Sequence, residues 1–178
     1  MSGIPGVTLR GVEALPVEVE VEITGGIFQV NIVGMPNVAV RESKERVRAA
    51  LRALGLTLKG RISVNLAPAD IPKEGALLDL PIALGMLQAT GHLKDCPRAL
   101  YMGELSLDGR LRRVRGAVPA AFLAKEMNIP LTFRERTQKR LLLFPESRHI
   151  ARTTWANSLC ASAEKNRPSP YLRRMYLT

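Results

Sequence analysis

Three carboxylates close together in the chain are the side chains best placed to do chemistry. Asp70 and Glu74 flank a loop, and Asp79 lies in a very apolar segment. Carboxylates at this spacing could bind Mg²⁺. Acids in loops are ordinarily solvated, and an acid in an apolar helix is ordinarily bonded to a loop amide or to a basic partner. We therefore expect no catalytic residue among the three.

Motifs for holding phosphates or metals are missing from the sequence. It contains no G-x-x-x-x-G-K-[ST] loop and no G-x-G-x-x-G, so no ATP phosphate cradle is recognisable. It contains neither C-x-x-C nor H-E-x-x-H, and its two histidines, His92 and His149, stand in unrelated contexts. His92 follows Gly91 and is interpreted as a cap or surface residue. We expect no catalytic residue, no cofactor and no metal site in this chain.

Basic side chains are in clear excess and are unevenly placed. The formal charge is +10, and residues 127–178 carry ten basic and three acidic residues, a net +7. Such an excess is typical of nucleic-acid or acidic-membrane binding, or of a solvated extension, which we favour for this segment. The candidate nucleic-acid contacts are four side chains on the exposed side of a predicted helix, Arg41, Lys44, Arg48 and Arg52. Aromatic residues make up only 4%, so few stacking platforms are available.

Composition limits the class of protein. With 46% hydrophobic residues among 178, the chain can fold around a core. The most apolar run, residues 76–87, is too short for a transmembrane helix, and the N-terminus lacks the pattern of a signal peptide. Two isolated cysteines, Cys96 and Cys160, fit a reducing compartment, although a disulfide between them stays open. We expect a cytoplasmic protein without a membrane partner.

The first half of the chain predicts strands around one helix. Residues 17–23 alternate valine or isoleucine with glutamate, which indicates a strand with a wet acidic face. Gly25-Gly26 predicts a hairpin to a return strand at residues 28–32. A helix is predicted from Pro36 to about Leu54, ended by Gly55, with a third strand at residues 61–66.

The second half adds two helices and a hairpin. A very apolar helix is predicted from residue 76 to about residue 90. Residues 100–106 and 110–114 flank Leu107-Asp108-Gly109 and predict a hairpin, and a short helix follows at residues 116–127. The order β-β-α-β-α-β-β-α is typical of an α+β or α/β sandwich.

Five segments share their motifs with one protein family. They include N-L-A-P-A-D-I-P-K-E-G at residues 65–75 and D-L-P-I-A-L-G at residues 79–85, a highly specific pair. The others are residues 11–21, 31–50 and 103–112. Together, over about residues 3–127, they resemble the N-terminal, Lon-protease-like domain of the YifB/ComM family of magnesium-chelatase-like (ChlI-type) AAA+ ATPases of bacteria.

The resemblance implies a fold, partners and a cellular role. The implied fold is the ribosomal protein S5 domain 2-like fold, shared with the C-terminal domain of Lon protease. An AAA+ module follows this domain in full-length relatives, so ATP and Mg are expected only for that module. ComM-type relatives resemble hexameric motors that drive DNA branch migration in natural transformation. DNA and like subunits are therefore the implied partners, and no small-molecule substrate is identified.

The same resemblance argues against peptidase activity. Lon places its serine in the pattern P-K-x-G-x-S-A-G, and Leu77 holds that position here. Lon's lysine falls in a G-G-L-K segment, which matches Arg115-Gly116-Ala117-Val118. Leucine offers no nucleophile and valine no base. A Ser–Lys peptidase is therefore not expected.

The family pattern stops well before the end of the chain. We predict a domain at residues 1–127, truncated at its C-terminal end, and a basic tail at residues 128–178. Nothing from Arg134 onward matches the family. The tail is interpreted as a disordered extension or as the product of a truncated or frame-shifted gene.

Two functions remain in competition at this point. The resemblance predicts a non-catalytic regulatory or assembly domain, detached from its ATPase motor. The alternative is a stand-alone basic nucleic-acid-binding module, supported by the charge distribution. An enzyme in its own right is the least favoured class.

Overall fold

Eight strands and three helices make up residues 3–133, the part of the chain that the computed structural model describes. The helices are α1 (Val38–Ala53), α2 (Asp79–Ala89) and α3 (Ala117–Glu126). The strands are β1 (Ile4–Arg10), β2 (Glu13–Thr24), β3 (Gln29–Val33), β4 (Arg61–Ala67), β5 (Leu100–Tyr101), β6 (Glu104–Leu105), β7 (Leu111–Arg112) and β8 (Leu131–Thr132). The interpretations given to His149, Cys160 and the chain from Arg134 onward lie outside the described residues.

Six of these strands form one mixed sheet in the order β3-β4-β2-β1-β5-β8. Strand β2 is antiparallel to both of its neighbours, whereas the β3–β4, β1–β5 and β5–β8 pairs are parallel. Strands β6 and β7 form a separate antiparallel pair. The predicted combination of α and β elements is confirmed as a mixed α/β architecture.

Strand β2 has the predicted two faces. Val17 and Val19 are buried, whereas Glu18, Glu20 and Glu22 are exposed. Its hairpin partner is β1, which the sequence analysis missed because Pro5 and Gly6 interrupt any alternation. The connection is Gly11-Val12, where Gly11 takes the positive φ of 63° that the tight turn requires.

The predicted hairpin at Gly25-Gly26 is wrong. Residues 29–33 do form a strand, but β4 lies between β2 and β3. Strand β3 runs parallel to β4 and reaches it through α1, which is the crossover that parallel strands need. Side-chain alternation identifies a strand and its buried face, but it carries no information about which strand lies beside it.

Helix α1 agrees with its prediction except at its start, which is Val38 rather than Pro36. The Asn37 side chain accepts a hydrogen bond from the Val40 amide at 2.9 Å and caps the helix. Gly55, with φ 80°, follows the C-terminal end. The apolar side chains on one side of the helix are buried: Val40, Val47, Leu51 and Leu54.

The later elements agree in part. Helix α2 begins at Asp79, three residues after its predicted start, and every residue from Asp79 to Leu87 is buried. The hairpin around Leu107-Asp108-Gly109 is present as β6 and β7, but β5 belongs instead to the main sheet. Helix α3 is confirmed, and β8 follows the predicted domain boundary at residue 127, which stays a prediction.

Apolar side chains pack on both faces of the sheet. One cluster joins α1 and α2 to β2 and β4, and includes Ile4. The other joins Ala120 and Leu123 of α3 to Val7 and Leu131. Ile4 and Val7 lie an odd number of residues apart on β1, so their side chains project from opposite faces. None of the described helices combines the length and apolar character needed to span a bilayer.

Candidate functional site

The four candidate nucleic-acid contacts form an exposed stripe on α1. Arg41, Lys44, Arg48 and Arg52 are spaced three or four residues apart, which places them on one helix face, and all four are exposed. Within residues 3–133, none of the four forms an ion pair with a carboxylate. Their charges are therefore available to an anionic partner. We call this stripe the basic face of α1.

Two of the four side chains are held in place by uncharged partners. The Arg48 guanidinium lies 4.8 Å from the centroid of the Phe28 ring, a cation–π arrangement. Arg41 Nε donates to the carbonyl of Pro36 at 3.2 Å. Both contacts orient the guanidinium group without neutralising it.

A buried ionic cluster lies at the start of α2. Asp79 is fully buried, and its carboxylate accepts hydrogen bonds from Arg46 Nε at 2.8 Å and Nη2 at 3.0 Å. The Ser43 hydroxyl and the Leu105 amide, the latter at 3.1 Å, donate to the same carboxylate. The hydrogen bond to Asp79 raises the pKa of Arg46, against the opposing effect of burial. Of the two interpretations offered for Asp79, the basic partner is confirmed, and the amide that also binds it belongs to strand β6 rather than to a loop.

The other two carboxylates of the sequence triplet do not join Asp79. Asp70 and Glu74 are exposed, whereas Asp79 is enclosed. Within the described residues, no three His, Cys, Asp or Glu side chains are grouped closely enough to hold a metal ion. His92 is exposed, and its Nδ1 lies 2.8 Å from Thr90 Oγ1 just after α2.

The family motifs at residues 31–50 and 65–75 meet beyond the ends of β3 and β4. The Lys73 amide donates to the Met35 carbonyl at 3.1 Å, and the Asn37 amide donates to the Lys73 carbonyl at 3.0 Å. The Lys73 side chain is fully buried and donates to the Pro68 carbonyl. Burial lowers the pKa of this ammonium group, and the charge of Asp70 opposes that shift.

The positions that match the Lon serine and lysine are occupied by apolar side chains. Leu77 is 8% exposed and packs in the same cluster as Ala120 of α3. Val118 lies in the first turn of α3 and is half-buried. Leu77 supplies packing, and both positions hold a hydrocarbon side chain where a peptidase would need a hydroxyl and an amine.

Sequence reasoning missed the burial of Lys73 and the role of Arg46. Because lysine is rarely buried completely, the residue type predicted an exposed position for Lys73. Arg46 lies 3.7 Å from Glu42, the i,i+4 neighbour that the sequence suggests, but it lies closer to Asp79, at 2.8 Å. The helical spacing could have predicted the Arg46–Asp79 pair. Arg46 lies about one turn after Ser43, on the side of α1 that faces the core, so it needs a buried acidic partner.

Comparison with known proteins identifies the family. The family model described as subunit ChlI of Mg-chelatase matches residues 19–133. The competence protein ComM of Haemophilus influenzae is 37% identical over 150 residues, covering 80% of this chain and 29% of the relative. YifB of Escherichia coli is 44% identical over 114 residues, covering 62% of this chain and 22% of YifB.

A protein of Mycobacterium tuberculosis is 40% identical over 127 residues, covering 70% of this chain and 25% of the relative. The chain thus spans roughly a quarter of the length of the curated relatives that it matches. With a family model that covers more than half of its residues, this chain belongs to the magnesium-chelatase-like ChlI family, in the N-terminal region shared by YifB and ComM.

Proposed function

We propose that residues 3–133 form a non-catalytic regulatory or assembly domain that works with an AAA+ ATPase module of the ComM/YifB type. The support is that this chain matches only about a quarter of the length of ComM and YifB. The remaining three quarters of those relatives are long enough to contain a separate ATPase motor. ATP and Mg would bind to that motor. We further propose the ribosomal protein S5 domain 2-like fold, a cytoplasmic location, and DNA and like subunits as partners of the complete assembly.

The observation that carries this proposal is that the family motifs form contacts within the domain. The Asp79 side chain binds Arg46 and the Leu105 amide, and the backbone of Lys73 bonds to Met35 and Asn37, so both motifs hold other parts of the same domain. The positions corresponding to a Lon-type dyad are apolar, at Leu77 and Val118. Motifs that organise a rigid body without a reactive group are what an assembly domain requires.

The decisive experiment is a domain exchange. The matched segment of Haemophilus influenzae ComM is replaced by residues 19–133 of this chain, and transformation frequency is measured in cells that contain only the chimera. We propose that the chimera supports transformation and that ComM without the segment does not. Equal transformation without the segment, or ATP hydrolysis by this chain alone, would contradict the proposal.

A second candidate function is nucleic-acid binding by this chain itself. The observation that favours it is the basic face of α1, whose charges have no carboxylate partner in the described part of the chain. Phosphate neutralisation by such a stripe makes binding fall steeply with salt. In this reading DNA branch migration by the whole protein would use α1 as one contact with the substrate.

A further inference from the structure

Strand β3 forms one end of the main sheet. Its five residues pair with β4 on one side, and no strand of residues 3–133 lies on the other side. Residues 25–28 enter the strand across the start of β4, and residues 34–37 lead from its end into α1. Neither of these neighbouring segments therefore adds a strand beside it. We call the outer side of Gln29–Val33 the β3 edge.

The β3 edge carries backbone groups that can bind another strand. The Gln29 amide donates to the Gly60 carbonyl at 3.3 Å, so Gln29 directs its backbone groups toward β4. Successive residues of a strand direct these groups to opposite sides. Val30 and Ile32 therefore direct their N–H and C=O groups outward, and no loop or helix of the described region bonds to them.

The β3 edge also lacks the features that usually keep a strand edge single. Edge strands are commonly protected by a charged side chain, a proline or a bulge, and Gln29–Val33 contains neither a charge nor a proline. Apolar side chains lie exposed beyond both ends of the strand: Ile27 is 88% exposed, Met35 54% and Val38 70%. Addition of an extended peptide to such an edge is a recurring mode of recognition.

The basic face of α1 runs along β3. Arg48 lies over the ring of Phe28, the residue just before the strand. Arg41 donates to the carbonyl of Pro36, which lies beyond the other end of the strand. Lys44 lies between these two arginines on the same helix face. Positive charge is therefore held beside the whole length of the strand.

This basic face lies on the flank of α1 that points away from α2. Arg46 binds Asp79 of α2, and Arg48 follows two residues later, about 200° further around the helix. Arg48 therefore lies on the side of the outer end of the sheet. Glu45, which is exposed near Arg41 and Arg48, forms no ion pair with any described residue. The four basic residues outweigh this one acid.

Charge and backbone together limit what can occupy the edge. A second copy of β3 would bring a second basic α1 beside the first, and residues 134–178 of this chain carry a net charge of +7, so both would be repelled. A nucleic acid would match the basic side chains, but it has no regular series of donors for the outward carbonyls of Val30 and Ile32. An acidic polypeptide satisfies both requirements.

We propose that the β3 edge binds an extended segment of a partner polypeptide whose side chains on the α1 side are acidic. The segment adds a seventh strand to the sheet and bonds to the outward groups of Val30 and Ile32. Its alternate side chains lie on the opposite face, in line with Gln29, Asn31 and Val33, and need no charge. This site goes beyond both functions proposed above, and it assigns the basic face of α1 to a polypeptide rather than to DNA.

The first test uses the full 178-residue chain and a fluorescent peptide of alternating glutamate and valine. Fluorescence anisotropy is compared for two peptides that are N-methylated at alternate backbone amides, in opposite phases. Strand addition predicts that one phase weakens binding by about tenfold or more, because its amides face β3, while the other phase binds as the unmodified peptide does. Equal binding of the two phases, or a lack of saturable binding, overturns the proposal.

The second test removes one backbone donor from the protein. Val30→Pro deletes an outward N–H and leaves the bonds from β3 to β4 in place, so peptide binding should fall by about tenfold while binding of labelled duplex DNA does not change. Val30→Ala, which keeps the N–H, is the matched control and should bind the peptide as the natural chain does. An equal loss of peptide and DNA binding in Val30→Pro would overturn the proposal.

The third test concerns charge. The double variant Arg41→Glu/Arg48→Glu should reverse the preference from the glutamate–valine peptide to a lysine–valine peptide. Lys94→Glu/Arg115→Glu makes the same change in net charge at exposed positions outside α1 and β3, and should keep the original preference. Equal effects of the two double variants would show that only net charge is read, and would overturn the proposal.

Discussion

Asp79 carries the most contacts of any carboxylate described here, and all of them are internal. Its two oxygens are shared among Arg46, Ser43 and the Leu105 amide. An ionised carboxylate in a fully buried position is tolerated only when it is paired and hydrogen-bonded in this way. That Asp79 needed partners followed from its apolar segment, but their identity depended on how α1 and β6 pack around it.

Removing Arg46 should destabilise the domain strongly. Arg46→Met leaves the Asp79 charge buried without its partner, and the loss in unfolding free energy is expected to be about 3–5 kcal/mol. The measurement is urea unfolding followed by circular dichroism. The double variant Arg46→Met/Asp79→Leu should recover part of the loss, since it removes the unpaired buried charge but leaves the Ser43 hydroxyl and the Leu105 amide without their acceptor. A double variant as unstable as the single one would argue against this account.

Lys73 should make stability depend on alkaline pH. Burial lowers its pKa in the folded state, so in the alkaline range the unfolded chain binds more protons than the folded chain. Raising the pH toward the ordinary lysine pKa should therefore stabilise the natural chain relative to Lys73→Met. Urea unfolding of both proteins at neutral and alkaline pH tests this. Lys59→Met, at an exposed position, is the control; a matching trend there would contradict the assignment to Lys73.

At the scale of elements, helix α1 has two faces with different roles. The buried stripe packs on the sheet, and the opposite face displays the basic residues. The helix was predictable because its hydrophobic period and its terminal glycine agree, although it begins at Val38 behind an Asn37 cap rather than at Pro36. The order of the sheet was not, because the Gly25-Gly26 signal favoured a local hairpin over the longer-range pairing with β4 that the structure contains.

The basic face of α1 should determine how DNA binding responds to salt, if this chain binds DNA as in the second candidate function. Replacing Arg41, Lys44, Arg48 and Arg52 by glutamine should reduce the slope of log K against log salt by about 3–4, if each contacts one phosphate. The measurement is a salt titration of anisotropy with labelled duplex DNA.

The matched control replaces by glutamine four exposed basic residues outside α1: Lys59, Lys94, Arg113 and Arg115. If the control lowers the slope as much as the α1 variant does, binding is a property of net charge and the assignment to α1 is wrong.

At the scale of the whole described region, residues 3–133 contain two apolar layers, and the second depends on the last described strand. Leu131 of β8 is 3% exposed and packs with Ala120, Leu123 and Val7. The sequence analysis placed the end of the domain at residue 127 because the family pattern weakens there. A two-residue strand such as β8 carries no periodic signal, and its pairing with β5 becomes visible only in three dimensions.

Ending the chain at residue 127 should therefore cost stability. A chain of residues 1–127 lacks β8, and we expect an unfolding free energy lower by about 2–5 kcal/mol than for residues 1–133, the range found for losing a buried leucine. Thermal and urea unfolding of the two chains, beside the full chain, provide the measurement. Equal stability of 1–127 and 1–133 would support the boundary predicted from the sequence.

The carboxylate of Asp79 has a mechanical consequence. It joins α1 through Arg46, belongs to α2 itself, and holds the β6–β7 hairpin through the Leu105 amide. The turn of the same hairpin also packs on α1, where Gly109 lies close to Leu54 and to the Ala50 carbonyl. The outer surface of α1 and the hairpin are therefore tied to each other at two points, so a partner that contacts both would meet surfaces whose relative position is fixed by the core.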